Sequence, residues 1–184
     1  PTERTKLTFK VASRKLLDAH ASGLPISERY LIFDVHPKLA LLATAGNDGR
    51  LILRAYERGE VVGNYLCDSK KRVRTVKFSP RGRMMVVGLS GGVIITFFLN
   101  YASEELNPRF SLDYFQTFKP DFQAEILEIE FDKEGEFFAA SYWIEGKRFE
   151  GNERPRSGNV RVFKVKSEKN HNADEAFYEA RETI

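Results

Sequence analysis

Apolar and polar residues alternate in short bursts along this chain, and turn-forming residues rather than helical spacing separate the bursts. From Val73 to Phe78 apolar and basic positions alternate, the period of two expected of a half-buried strand. Ser79-Pro80-Arg81-Gly82 then reads as a turn, because proline presets φ at its second position and glycine tolerates positive φ. Met84 to Val87 is a continuous apolar run, too short for a helix and bounded by breakers, which predicts a strand buried on both faces. Ser90-Gly91-Gly92 turns the chain again. Val93 to Leu99, rich in β-branched and aromatic side chains, predicts another strand.

This unit recurs. Val35 to Gly49 aligns without a gap on Phe78 to Gly92, at an offset of 43 residues, with Pro37 on Pro80 and Gly49 on Gly92. A third copy begins at Ile129-Glu130-Phe131, 53 residues after the second, is interrupted after Ser141, and resumes at Ser157 to Phe163. Repeats of about 40–45 residues holding several short strands each are the signature of propeller blades.

In chain order, Leu7 to Val11 predicts a strand of a preceding blade, and Ser13 to Ala21 reads either as a short helix or as an outer strand. Arg29 to Phe33, Leu39 to Ala45, Leu51 to Tyr56 and Val61 to Leu66 predict the four strands of the first clear repeat. Asn47-Asp48-Gly49 predicts a tight hairpin with positive φ at both central positions. Arg109 to Phe115 predicts the outer strand of the second repeat, Glu125 to Phe131 and Phe137 to Trp143 the first two of the third. A long segment from Ile144 to Arg156 stands where the first repeat has a short hairpin. Residues 1–166 are therefore read as a partial propeller, and 167–184 as a polar extension holding one more edge strand or a short helix.

Phe78-Ser79-Pro80-Arg81-Gly82 and Thr44-Ala45-Gly46-Asn47-Asp48-Gly49 carry a family resemblance, extended more weakly by Ser157 to Phe163. Over residues 30–166 the pattern resembles WD40-repeat proteins, whose repeats read roughly V-x-F-S-P-D-G-x-x-L-A-S-G-S-x-D-G-x-I-x-V-W. Arg54, Phe97 and Phe163 replace the blade-closing tryptophan, and the glycine-histidine pair before the first strand is absent. The family's Ser-His-Asp-Trp tetrad is thereby broken, with Thr44 and Asp48 as its remnants. The divergence is similar to that of echinoderm-microtubule-associated-protein-like and cilia-associated WD proteins. The resemblance implies an all-β, WD40-like propeller of which this chain supplies three to four four-stranded blades. It implies a non-catalytic platform in a cytoskeletal or ciliary assembly, with tubulin or axonemal proteins as partners and the cytoplasm or the axoneme as location.

Because closed propellers carry four to eight blades, the chain reads as part of a larger ring, and the first residue, a proline, fits that expectation. An incomplete ring exposes unpaired strand edges, so the rest of its own propeller or another protein is expected to cover them. The net charge of +3, from 29 basic and 26 acidic residues among 184, is too small to argue for nucleic acid. One cysteine, Cys67, excludes an internal disulfide framework and reads as a small residue at a strand end. The sequence holds no signal peptide, no N-x-S/T sequon and no apolar run near the ~18 residues of a membrane helix. The expectation is a soluble chain that does not engage a membrane.

An enzyme needs convergent titratable groups, and the three histidines, His20, His36 and His171, stand in unrelated contexts. His36 occupies the turn position of Ser79 and is read as a local hydrogen-bonding residue. No spacing fits a zinc site, Gly88 to Gly92 lacks the lysine of a phosphate loop, and Asp132 to Glu136 lacks calcium-loop spacing. No enzyme activity and no cofactor are expected. Binding is the reading the loops favour. In four-stranded blades the second hairpin opens on the same face as the link between blades. Asp68 to Arg72, Thr117 to Gln123 and Ile144 to Arg156 should therefore share one face. The candidate partner-binding residues are Lys70, Lys71, Arg72, Phe118, Lys119, Phe122, Arg148, Phe149, Arg154 and Arg156, with Lys147 beside them. Basic residues interleaved with aromatics suit an acidic protein surface. The alternative is nucleic acid held by the same loops, which the interleaved Asp121, Glu145, Glu150 and Glu153 oppose by repelling phosphate.

Overall fold

The structure, a computed structural model, describes residues 32–102, 109–120, 124–145, 156–169 and 176–183. Every regular element among them is a β-strand, and the strands form three four-stranded antiparallel sheets in which sequence neighbours pair. The first blade holds β1 (Ile32–Val35), β2 (Leu41–Ala45), β3 (Arg50–Ala55) and β4 (Glu60–Leu66). The middle blade holds β5 (Val73–Phe78), β6 (Met84–Leu89), β7 (Ile94–Ala102) and β8 (Arg109–Phe118). The third holds β9 (Ala124–Phe131), β10 (Phe137–Glu145), β11 (Arg156–Lys169) and β12 (Ala176–Thr183). The strand expected at Leu7 to Val11 and the short helix or outer strand expected at Ser13 to Ala21 lie outside the described residues.

The repeat alignment holds in space. Leu41, Met84 and Phe137 open the second strands, and Val35, Phe78 and Phe131 close the first. The register slip between β3 and β4 at Leu53/Arg54 recurs between β7 and β8 at Thr96/Phe97, the same offset of 43 residues. Both slips fall where the family places its blade-closing tryptophan. β11 continues to Lys169, past residue 166, and of the edge strand or short helix expected in 167–184 the structure has the strand, Ala176–Thr183, paired with β11 at the sheet edge. The long segment of the third repeat also starts later than expected, because β10 and β11 stay paired out to Glu145 and Arg156.

The first hairpin corrects the expectation of two positive φ values. Asp48 stays at negative φ and only Gly49, at φ 70°, enters the left-handed region. A turn ending in one left-handed glycine satisfies the strand twist without straining an L-residue. The middle blade keeps the two-glycine form, with Gly91 and Gly92 at φ 75° and 76°.

Packing between blades makes the core. The first blade and one face of the middle blade bury Leu41, Ala43, Leu51, Leu53, Val76, Phe78, Met85, Val87, Ile95 and Phe97 together. The other face of the middle blade buries Met84, Val86 and Ile94 against Ile126, Ile129, Phe138, Ala140, Tyr142 and Phe163 of the third. Phe138 and Phe163 stack at 4.7 Å, which adds to their area burial. The innermost strands β1, β5 and β9 pack side by side. Arg54 occupies the position of Phe97 and Phe163, is buried, and leaves its Nε without a hydrogen-bond partner, a standing cost to the first blade. Thr44 donates to Ile52 O (3.4 Å), and Asp48 accepts from Arg50 N (3.1 Å).

The turn after each innermost strand is built alike. Ser79 Oγ accepts from Met84 N (3.1 Å), and Asp132 Oδ1 accepts from Phe137 N (2.8 Å). His36 does more than the local job its position suggests. Its Nδ1 accepts from Lys38 N (3.1 Å) and Leu39 N (2.9 Å), which assigns the proton to Nε2, and Nε2 donates to Gly82 O (2.9 Å) of the middle blade. Gly82 fits because it has no side chain: a Cβ there would lie 2.3 Å from His36 Nε2.

Candidate interaction face

The link from β4 to β5 is clasped by the hairpins on either side. Cys67 N donates to Gly49 O (2.9 Å), Val73 N to Gly46 O (3.2 Å), and Ser90 N to Arg72 O (2.8 Å). Arg72 N in turn donates to Ser90 Oγ (3.1 Å), and Asp68 Oδ1 accepts from Lys70 N (2.8 Å), closing a local turn. With its backbone spent inward, this link leaves Lys70 and Arg72 exposed and Lys71 half-buried. Lys119 is exposed beyond β8, and the adjoining Pro120 and Ala124 sit against Gly92 of the next hairpin. In the first and middle blades the described parts of the links thus lie beside the second hairpins, while 121–123 and 146–155 lie outside the described residues.

The other candidates are placed differently. Phe118 turns inward from β8, opposite Ile94, and its ring lies 5.1 Å from Phe163. Its strand position points it into the seam between middle and third blades. Arg156 opens β11 opposite Glu145. Phe122, Lys147, Arg148, Phe149 and Arg154 lie outside the described residues, as do His20 and His171. Arg74 and Glu125 escaped the sequence reading. They form an ion pair (3.7 Å) on this same face, and Glu125 also accepts from Gly91 N (3.1 Å). The alternation of Val73 to Phe78 was the only signal for Arg74, and it carries no information about partners.

Titratable chemistry does not converge here. Burial first, then the charges of Asp48 and Asp68, push the Cys67 thiol up to about 12, so it is no nucleophile at neutral pH. Burial holds His36 below the ordinary histidine range. Among the described residues no three His, Cys, Asp or Glu side chains come together as a metal site. No helix among them is long and apolar enough to cross a membrane. On the opposite face, a cleft of about 220 Å³ lies between the ends of β1, β5 and β9, lined by Asp34, Lys77 and Glu130 among others. These three are the same repeat position, and Lys77 pairs with Glu130.

No protein-family model matches the sequence, and no curated protein matches it. Among solved structures, the β-propeller domain of Cps50 (Swd1) from Myceliophteria thermophila superposes with a TM-score of 0.59 at 16% identity. The fold is a WD40-like β-propeller. The superposition covers 75% of this chain and 41% of that one, so three blades here match less than half of that chain. The C-terminal WD40 domain of Sif2 is also similar, with a TM-score of 0.46 at 13% identity, over 66% of this chain and 30% of that one.

Proposed function

We propose that these blades form a non-catalytic scaffold that docks an acidic protein surface on its link-and-hairpin face. The observation that carries the reading is the clasped link: its backbone is fixed by both neighbouring hairpins, while Lys70 and Arg72 stand exposed, as does Lys119 in the next link. Preordered cations cost little entropy to engage, and opposite charge speeds encounter more than it deepens affinity. The inward turn of Phe118 removes one of the aromatics on which a base could stack, which favours an acidic protein over nucleic acid. The resemblance of the repeats to microtubule- and cilium-associated WD proteins makes a cytoskeletal assembly, with tubulin or axonemal proteins, the proposed setting.

The test is binding of a glutamate-rich peptide, and of microtubules by co-sedimentation, to the chain and to its Lys70→Glu/Arg72→Glu/Lys119→Glu variant. The variant should bind at least about tenfold more weakly at low salt, and the gap should close as salt rises past the screening range. Equal affinities at low salt overturn the acidic-surface reading. Peptide binding without microtubule binding overturns only the cytoskeletal setting.

A further inference from the structure

We infer that Arg74, Lys71 and the Gly91 amide form the subsite that receives a carboxylate of the acidic partner, and that Glu125 fills it in the free chain as a stand-in. The inference rests on the acidic-partner reading above and deepens it by naming the atoms that bind.

Arg74 leaves the strand register. β5 pairs Val73 with Leu89 and Thr75 with Gly88, so two residues advance on β5 against one on β6, and Arg74 is the extra residue. A bulge of this kind re-aims the side chain it carries. Here the guanidinium meets Glu125 of β9, across the seam between the middle and third blades. The Glu125 carboxylate is divided: Oε2 lies 3.7 Å from Arg74 Nε, and Oε1 accepts from Gly91 N at 3.1 Å. Lys71 Nζ reaches the same glycine, 3.4 Å from where a Cβ would stand, and nothing else would meet that Cβ within 4 Å. One carboxylate thus sits among a guanidinium, an amide N–H and an ammonium. The matching bulge of the third blade carries Leu127, 53% exposed, so the bulge itself does not require a cation.

The first seam is built differently. Asp48 stands at the repeat position of Gly91 and Arg72 at that of Glu125, so there the hairpin brings the acid and the link the cation. The bare hairpin of the middle blade takes its carboxylate from outside, and Glu125 supplies it.

That stand-in is held loosely. The Arg74 and Glu125 side chains are 38% and 44% exposed, a setting in which an ion pair contributes little. An arginine fork binds a carboxylate best through two parallel hydrogen bonds. A carboxylate arriving from solvent is free to adopt that geometry, whereas Glu125 is tethered to β9 and shared with Gly91. Arg72, two residues before Arg74, stands exposed and draws acidic surface to this point. Once displaced, Glu125 turns to solvent.

The test is titration of the full chain with hexaglutamate at low salt, with hexaglutamine as the control. Glu125→Ala should bind hexaglutamate about fivefold more tightly than the wild type, the change expected when one exposed ion pair no longer competes. Glu125→Gln, which keeps an acceptor for Gly91 N and loses the charge facing Arg74, should gain by a smaller factor. In an Arg74→Gln background, Glu125→Ala should change the affinity by less than about twofold, which separates a subsite from a change in net charge. All of these substitutions are at partly exposed positions, so the β-sheet circular dichroism should stay intact. A Glu125→Ala chain no tighter than the wild type overturns the inference, as does an equal gain without Arg74 or equal binding of hexaglutamine. If the Lys70→Glu/Arg72→Glu/Lys119→Glu variant is weakened while Glu125→Ala gains nothing, the loop-face reading stands and only the subsite falls. If the gain depends on Arg74 while that variant binds as the wild type does, the subsite stands and the loop cations fall. Absence of hexaglutamate binding by every chain overturns both.

Discussion

β6 and β10 occupy the same place in their blades, and their environments differ. All six residues of β6 are buried, whereas from Phe137 to Tyr142 the third blade's strand alternates between covered and partly open positions. Their sequences, Met84 to Leu89 and Phe137 to Trp143, are both almost continuously apolar. The difference lies in neighbours: the middle blade has one on each face, and the third has one on the face described. In this architecture a blade's burial is conferred by the blades beside it.

The largest effect should come from cutting into a seam. Phe138, buried and stacked on Phe163, should cost about 3–5 kcal/mol when replaced by alanine, and Met85→Ala about 2–5 kcal/mol. Val162→Ala, on the open face, should stay within about 0.5 kcal/mol. Urea midpoints at high dilution measure all three, and a Val162 cost equal to that of Met85 would erase the contrast between middle and end blades.

Two glycines sharpen the same contrast. Gly49 and Gly59 both sit at φ 70°, but a Cβ at Gly49 would meet the Asp68 carbonyl oxygen at 1.8 Å, and one at Gly59 meets nothing within 4 Å. Gly59→Ala should cost only the left-handed penalty, about 1–2 kcal/mol. Gly49→Ala adds a backbone clash and should cost roughly 3 kcal/mol or more. Equal losses in thermal unfolding would show that the link does not clasp the hairpin.

Much of the fold was legible because it is local: alternation, turn residues and the 43-residue offset place Leu41 against Met84 without any long-range information. What escaped is what spacing does not encode. Phe118 reads as a loop aromatic from composition, but β8 runs far enough to turn it onto Phe163, and only the pairing with Ile94 reveals that. His36 reads as a turn residue, yet its reach to Gly82 depends on how two blades meet. Asp48-Gly49 matched a two-residue hairpin motif, but the extra residues Gly46 and Asn47 relieve Asp48 of positive φ. The candidate face was legible as a set of loops, while the pairing of Arg74 with Glu125 was not.

The two seams should respond differently to acid. His36 guards the first, and its repeat equivalent in the second is Ser79, which does not titrate in this range. Protonation would set an N–H on Nδ1 against the Lys38 and Leu39 amides, and burial already lowers the folded pKa from 6.5, opposed by the hydrogen bond to Gly82, with Lys38 adding to the shift and Asp34 opposing it. Because the unfolded chain binds the proton more readily, the contribution is complete above about pH 6.5. It is lost as pH falls from there through the lowered folded value. His36→Asn should cost about 1–3 kcal/mol at pH 7.5 for its buried hydrogen bonds and flatten this part of the pH profile. A variant whose urea midpoint falls between pH 7.5 and 5.5 as steeply as the wild type's would remove His36 from the account.

The smallest effect belongs to the ion pair across the second seam. Lys77 donates to Glu130, and that hydrogen bond, ahead of the opposing effect of burial, raises the lysine above its ordinary range. The raised value means the contribution is present below about pH 10.5 and disappears as pH climbs through the folded pKa. The first seam uses Asp34 differently, against the Phe78 amide, where neither salt nor alkali removes the donor. Both side chains of the Lys77–Glu130 pair keep substantial solvent contact, so Glu130→Gln should cost no more than about 1 kcal/mol, and less at about 1 M salt. Asp34→Asn should cost a similar amount without the salt dependence, since an amide oxygen still accepts from Phe78 N. Urea midpoints for both variants at low and high salt decide it: a salt-sensitive Asp34 and a salt-insensitive Glu130 would reverse the assignment of charge to one seam and backbone to the other.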